Sequence, residues 1–382
     1  MLRWTGLVVA CVIVAAPASA RACIWDTETM LQERSRFPTA LELMTGKFLR
    51  HTPEFYRWRV QDRLSRIARE PRKLYLVDDL AAAYDKLGQH AEAIAAMQAI
   101  LPRDPRRYET LANLGTFYLH SGDFEHGLEF IDLALEVNPE AHFGRERYQR
   151  WLVEYLLAKR GMGGPPTLPK YTDESKGFEG FLAAKSGAKY LELPEAQAAV
   201  NGVLGMMRFG KHDSPILYEA LGDLLSGPMH TIDAKRLAVR AYLLAAEVTP
   251  DVSARAAYEE MARMLVAVMS PDRLEEFSLD GIRWALKNER AEADAWYAEL
   301  AARERDWVLY SPDPEFEVRR LYAEDPVLSG LPPGWLADNW RVLAGILAIF
   351  VVFAALGLRM ARRSGRDESR NVKINWAGRP RR

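Results

Sequence analysis

Cysteine is scarce in this chain of 382 residues: Cys11 and Cys23 are the whole supply. Cys11 falls inside an apolar N-terminal run that reads as a cleaved leader, so the mature chain keeps a single thiol. That excludes an internal disulfide framework. Cys23 follows Ala20-Arg21-Ala22, where arginine is out of place for lipoprotein processing. An unmodified or intermolecularly paired thiol is the favoured reading. A strong net charge is missing as well. Lys and Arg number 51 against 52 Asp and Glu, for a formal net charge of −1. The positive charge is concentrated at one end, because residues 359–382 hold nine basic residues against Asp367 and Glu368. The remaining body is acidic, which argues against a nucleic-acid partner.

Signatures of chemistry are missing too. The chain has no Gly-x-Ser-x-Gly elbow, no Walker motif and no complete serine–lysine acylation set of Ser-x-x-Lys with Ser-Asp-Asn and Lys-Thr-Gly. The glycines of 161–164 lack the Gly-x-Gly-x-x-Gly spacing, and Pro165-Pro166 blocks a following helix. His51, His90, His120, His126, His142, His212 and His230 form no His-Glu-x-x-His motif. His120 and His126 lie six apart across a turn, which is not metal spacing on one helix, so surface or turn histidines are expected. Acidic pairs such as Asp78-Asp79 and Glu259-Glu260 read as solvated helix faces. The expectation is a non-catalytic protein with no cofactor and no metal.

Segments rich in β-branched residues are few, while Ala, Leu, Arg and Glu dominate. Helix is therefore favoured nearly everywhere, and the expected fold class is all-α. Sliding the chain by 34 residues aligns 74–107 with 108–141. Leu80 falls on Leu114, Ala81 on Gly115, Tyr84 on Tyr118 and Gly88 on Gly122. Ala93 falls on Gly127, Met97 on Ile131, Ile100 on Ala134, Leu101 on Leu135 and Pro105 on Pro139. The small residues let two helices approach closely. Tyr84, Tyr118, Met97 and Ile131 fill the space between them. Gly88 and Gly122 suit a left-handed C-cap, and Pro105 and Pro139 stop the second helices.

This pattern resembles the tetratricopeptide repeat (TPR), in which a large-x2-Leu-Gly-x2-Tyr first helix precedes small and apolar residues on a second. The resemblance implies an α-solenoid of helical hairpins whose first helices line a concave groove for peptide or protein partners. By that resemblance Tyr75, Asp78, Ala82, Asp85 and Lys86 face the groove in the first copy. Glu109, Ala112, Asn113, Thr116 and His120 face it in the second. A basic clamp for a partner's C-terminal carboxylate is not expected there, because only Lys86 and Asn113 fit such a clamp.

Repeats bury their faces against neighbours, so flanking helices are expected. Residues 21–73 read as an N-terminal helical cap, with Pro71 standing 34 residues before Pro105. Arg59 and Arg63 occupy positions that are small or apolar in the repeats. Residues 142–160 read as a capping helix with Tyr148, Trp151, Leu152, Tyr155 and Leu156 on one face. A Gly- and Pro-rich linker spans 161–176. Residues 177–309 read as a second TPR-like helical region, with a degenerate hairpin at 215–250 and buried Trp284, Ala285, Trp296, Tyr297 and Leu300. Residues 310–340, rich in proline and acid, read as a spacer.

Two apolar runs set an expected topology. Residues 1–20 have a short basic start, an apolar run from Leu7 to Ala16 and Ala18-Ser19-Ala20, the pattern of a signal peptide. Residues 341–358 contain seventeen uncharged residues from Val342, roughly 26 Å of helix and near the lower limit for spanning the hydrocarbon core. Trp335 and Trp340 suit one interface. The basic segment 359–382 suits a cytoplasmic tail. The combined expectation is a membrane-tethered scaffold of the bacterial envelope, its body on the non-cytoplasmic side, binding proteins or peptides. The alternative is an exported enzyme or accessory subunit with its pocket in 177–309.

Overall fold

The computed structural model describes residues 40–139, 144–161, 177–228, 230–269, 278–321 and 325–329. The chain divides into two units, residues 1–329 and 330–382, and everything described belongs to the first. The described residues are helical, with no strand among them. The expected signal peptide 1–20, span 341–358 and tail 359–382 lie outside them, as does most of the 161–176 linker. Among the described residues no helix is long and apolar enough to cross a membrane.

The repeat region forms two hairpins. The first pairs α3 (Leu74–Lys86) with α4 (His90–Ile100), and the second pairs α5 (Tyr108–Ser121) with α6 (Phe124–Val137). Both first helices end at a left-handed glycine, Gly88 with φ 74° and Gly122 with φ 89°. The close approach within the second hairpin depends on Gly115 and Gly127. A Cβ on Gly115 would lie 2.7 Å from Ile131 Cγ1, and one on Gly127 2.4 Å from Leu119 Cδ2. Val77, Ala81, Ala93, Met97, Leu114 and Phe117 share one core across both hairpins.

Two helices precede the repeats. Pro53 and the Thr52 side chain, which accepts from Phe55 N at 3.2 Å, start α2 (Pro53–Arg69). It packs on α3. The short α1 (Ala40–Thr45) instead packs on three helices far along the chain, those of Leu193–Phe209, Ile232–Val248 and Leu279–Tyr310. After the repeats come α7 (Arg145–Gly161), α8 (Gly177–Lys185), α9 (Leu193–Phe209), α10 (Pro215–Ser226), α11 (Ile232–Val248) and α12 (Val252–Met269). The α7 residues Tyr148, Leu152, Tyr155 and Leu156 are buried in one large core with Leu43, Met44 and Phe48 from the N-terminal side. So α7 is more than a cap, because it joins the repeats to the second half. The hairpin anticipated over 215–250 is α10 with α11, and Gly222 sits against the Tyr242 ring as Gly115 sits against Ile131.

The C-terminal part departs most from the sequence reading. A 32-residue helix, α13 (Leu279–Tyr310), runs back past α11 and α12 to α1 and α2. Its buried positions are Ile282, Leu286, Ala293, Leu300 and Glu304. Of the five residues expected to be buried here only Leu300 is fully so, and Trp284 is 60% exposed. The reason is register: Ile282, Leu286, Ala293 and Leu300 define the inward stripe, with Trp284 on the far side. The expected spacer is corrected as well. Residues 314–321 form α14 (Pro314–Leu321), which docks on α13 with Val318 fully buried beside Phe55 and Leu300. Glu315 receives Arg59 Nε at 2.9 Å and Arg63 Nη2 at 2.5 Å. Further along, Leu328 N donates to Glu42, and Ser329 donates to Glu292.

Candidate functional site

The faces of α3 and α5 that the resemblance assigns to a concave groove are less open than it implies. Asp78 is 2% exposed, because Arg107 at the entrance to α5 closes on both its carboxylate oxygens, Nη1 at 2.7 Å from Oδ1. Burial works against the Arg107 charge, but the bond to Asp78 and its charge outweigh that and hold the guanidinium pKa above its ordinary value. Glu109 lies beside the same arginine, 3.4 Å from Nε. Asn113 Nδ2 stands 3.9 Å from Met97 Sδ, and Thr116 Oγ1 accepts from Gln149 at 3.4 Å. Tyr75, at 40% exposed, and His120 are the open members of the set.

Asp85, His90 and His120 meet at one point. Gly88 turns the chain so that His90, the first residue of α4, reaches back to Asp85 in the last turn of α3. His90 Nδ1 is 2.8 Å from Asp85 Oδ1, and His120 Nδ1 is 3.0 Å from the same oxygen and 2.9 Å from Oδ2. Burial alone would raise the Asp85 pKa. The His120 hydrogen bond and charge, the Lys86 charge and the His90 bond overcome it and hold the carboxyl below its usual range.

Lys86 does not face a free groove. Its ammonium bonds to the carbonyls of Phe209 and Gly210, the latter at 2.7 Å. Those carbonyls end α9, and a cation there satisfies orphan acceptors and the negative end of the helix dipole. The turn after α9 therefore fills part of the concave face. Asp78, Asp85 and Lys86, expected to line the groove, are held in intramolecular contacts. The resemblance supplied their helix face; it could not supply Arg107, His90 or the α9 terminus that cover them.

A cleft of about 660 Å³ lies at the edge of this face, lined by Trp58, Arg66, Tyr75, Asp79, Pro312 and Arg319 among others. Its floor is the buried network in which Arg63 pairs with Asp79 at 2.8 Å and with Glu315. In the second half, an open cleft of about 680 Å³ between α11, α12 and α13 is lined by Glu247, Arg255, Glu259, Arg283, Arg290 and Asp294, and a separate set of polar groups converges inside the core. Lys159 Nζ is 2.6 Å from Glu219 Oε1, Tyr155 and Tyr258 donate to the same carboxylate, and Tyr242 donates to Asp223 at 2.9 Å. Lys159 and Glu219 are 1% and 2% exposed. Burial and the nearby carboxylates push the Tyr155 and Tyr258 hydroxyls far above their ordinary pKa. Such a network specifies packing.

The architecture is that of an all-helical protein of stacked hairpins, a class whose concave faces bind other proteins. Residues 108–140, spanning α5 and α6, match the tetratricopeptide repeat family. The chain is also similar to the human Superkiller complex protein 3, at 40% identity over 117 residues, which is 31% of this chain and 7% of that protein. The chain thus spans a small fraction of that relative's length. Together these findings support the tetratricopeptide-repeat family for the repeat region.

Proposed function

We propose that this protein is a non-catalytic scaffold that binds protein or peptide partners through its repeat region while tethered to a membrane by residues 341–358. The carrying observation is the pair of hairpins in register over 74–139, with the cleft beside Tyr75 and Trp58 left open at their edge. An aromatic pair flanked by Arg66 and Arg319 is suited to a partner segment with apolar and acidic side chains. The tether and the non-cytoplasmic placement of the body rest on the apolar runs and the basic tail of the sequence.

A photo-crosslinking residue at Tyr75 in the full-length protein, activated in native membranes, is expected to capture a discrete partner. The same residue at Lys86 is expected to capture none. Equal labelling at the two positions, or none at Tyr75, would sink the reading. For the topology, a reporter active only outside the cytoplasm should work when fused at Leu336 and fail when fused at Arg382. The opposite pattern would reverse it.

A further inference from the structure

We propose that Asp85, His90 and His120 form a binding site for a divalent transition-metal ion of the zinc type. The three side chains come from three separate helices, and one ligand atom from each lies within 4.8 Å of the other two. Both imidazoles present the same kind of nitrogen, Nδ1, to the same oxygen, Asp85 Oδ1, at 2.8 and 3.0 Å. An ion bonded to all three at about 2.0–2.1 Å in tetrahedral geometry needs ligand separations of roughly 3.3 Å. Small side-chain rotations open the triad by that amount. Two imidazoles and one carboxylate select borderline ions such as Zn²⁺, Co²⁺ or Ni²⁺ over Ca²⁺ or Mg²⁺, which prefer all-oxygen shells.

The exposure of the three groups suits entry of an ion. Asp85 is 9% exposed, so its charge is poorly solvated and gains from a cation. The His90 and His120 side chains are 29% and 32% exposed, which leaves a path from solvent. Binding requires each Nδ1 to present its lone pair. A neutral imidazole does this by moving its proton to Nε2 through water, and an imidazolium does it by releasing one proton. With neutral imidazoles the site then carries the two positive charges of the ion against the one negative charge of Asp85. Lys86 is the neighbouring cation that opposes binding, and its ammonium is directed to the Phe209 and Gly210 carbonyls. Three protein ligands leave a fourth position for water or for a side chain of a partner.

An ion here joins the first repeat to the second, since Asp85 and His90 belong to one hairpin and His120 to the other. The test is titration of the chelator-treated full-length protein with Co²⁺ and then Zn²⁺. One Co²⁺ per chain is expected, with the absorption intensity of a four-coordinate site, displaced by Zn²⁺. Asp85→Asn, His90→Gln and His120→Gln should each weaken binding at least tenfold, about the floor set by losses of outer partners of metal ligands. His126→Gln, which removes an exposed histidine paired with Asp123 outside the site, should bind as the wild type does. A paramagnetic readout needs no variant: Co²⁺ should shift the ring signals of His90 and His120 before that of His126. No saturable binding, equal binding in the His120→Gln protein, or first broadening at His126 would each overturn the site and leave a hydrogen-bonded triad alone.

Discussion

Removing the Glu315 carboxylate is expected to release the C-terminal helix α14 from the N-terminal half of the molecule. Glu315 is the shared acceptor for Arg59 and Arg63, at 2.9 and 2.5 Å. The arginines are 2% and 3% exposed, and Arg59 also lies over the Phe55 ring at 4.8 Å. Deleting one partner of a buried ion pair costs about 3–5 kcal/mol, because the other charge stays desolvated. Two features reduce that figure: the Glu315 side chain is 12% exposed, and Arg63 keeps Asp79 at 2.8 Å. Glu315→Ala is therefore expected to cost about 2–3 kcal/mol. Hydrogen exchange reads this locally, since a 2 kcal/mol loss lowers the protection of α14 amides roughly 30-fold if they exchange through local opening. A double-mutant cycle of Arg59→Met with Glu315→Leu should return a coupling of about 1–2 kcal/mol. If Glu315→Ala shifts stability by less than about 0.5 kcal/mol, the ordinary range of surface substitutions, the ion pairs do not hold α14 in place.

Gly115→Val should destabilise the second hairpin by about 2–3 kcal/mol, because overpacking cannot be relieved when backbone is in the way. The new Cβ would meet Ile131 N at 3.0 Å, so thermal unfolding should begin earlier with loss of α5 and α6. Lys86→Ala should cost about 1–2 kcal/mol through the unsatisfied end of α9. It should appear as faster amide exchange in the last turn of α9, and unchanged exchange there would refute the capping role. Burial, and the charges of Arg50, Lys86 and Lys211 against that of Asp213, push the His212 pKa down from 6.5 to about 4. Between those values the unfolded chain binds the proton that the folded chain refuses. Stability is therefore full above pH 6.5 and falls as pH drops toward 4, by about 2 kcal/mol after discounting for partial exposure. His212→Gln should flatten that part of the pH–stability curve, and an unchanged slope would exclude His212 as its source.

The two hairpins at 74–139 were legible because their determinants are local. Glycine after each first helix, small residues at the close approach and proline after each second helix act within one 34-residue window. The return of the chain was not legible. Pro312, Asp313 and Pro314 read as spacer composition, and nothing in their own neighbourhood announces partners some 250 residues away. Arg59 and Arg63 carried half of the signal, since two arginines at positions that should be small or apolar demand buried carboxylates. The other half, Glu315, sits in a segment with the composition of a spacer. The metal triad is intermediate. Asp85 and His120 are one repeat plus one residue apart, a spacing that stacks them on adjacent first helices. That relation was available from the repeat alignment, but His90 joins them only through the turn at Gly88.

The α9 terminus also bears on where the proposed partner would act. The end of α9 fills part of the concave face and offers its terminal carbonyls to Lys86. A partner taking that place would have to supply equivalent acceptors and also free α9 from the main core. Val203, Leu204 and Met207 are all buried there, and Arg208 is paired with Asp325 at 3.1 Å. Exposing three such side chains costs on the order of 1.5–3 kcal/mol each, before the ion pair is counted. That sum matches a large share of a typical domain's whole stability. A partner at the edge cleft faces no such cost, because Tyr75 and the Arg319 side already meet solvent. Recognition is therefore expected at the rim formed by α2, α3 and α14. There the strength of binding is expected to depend on the same Glu315 contacts that hold α14 down.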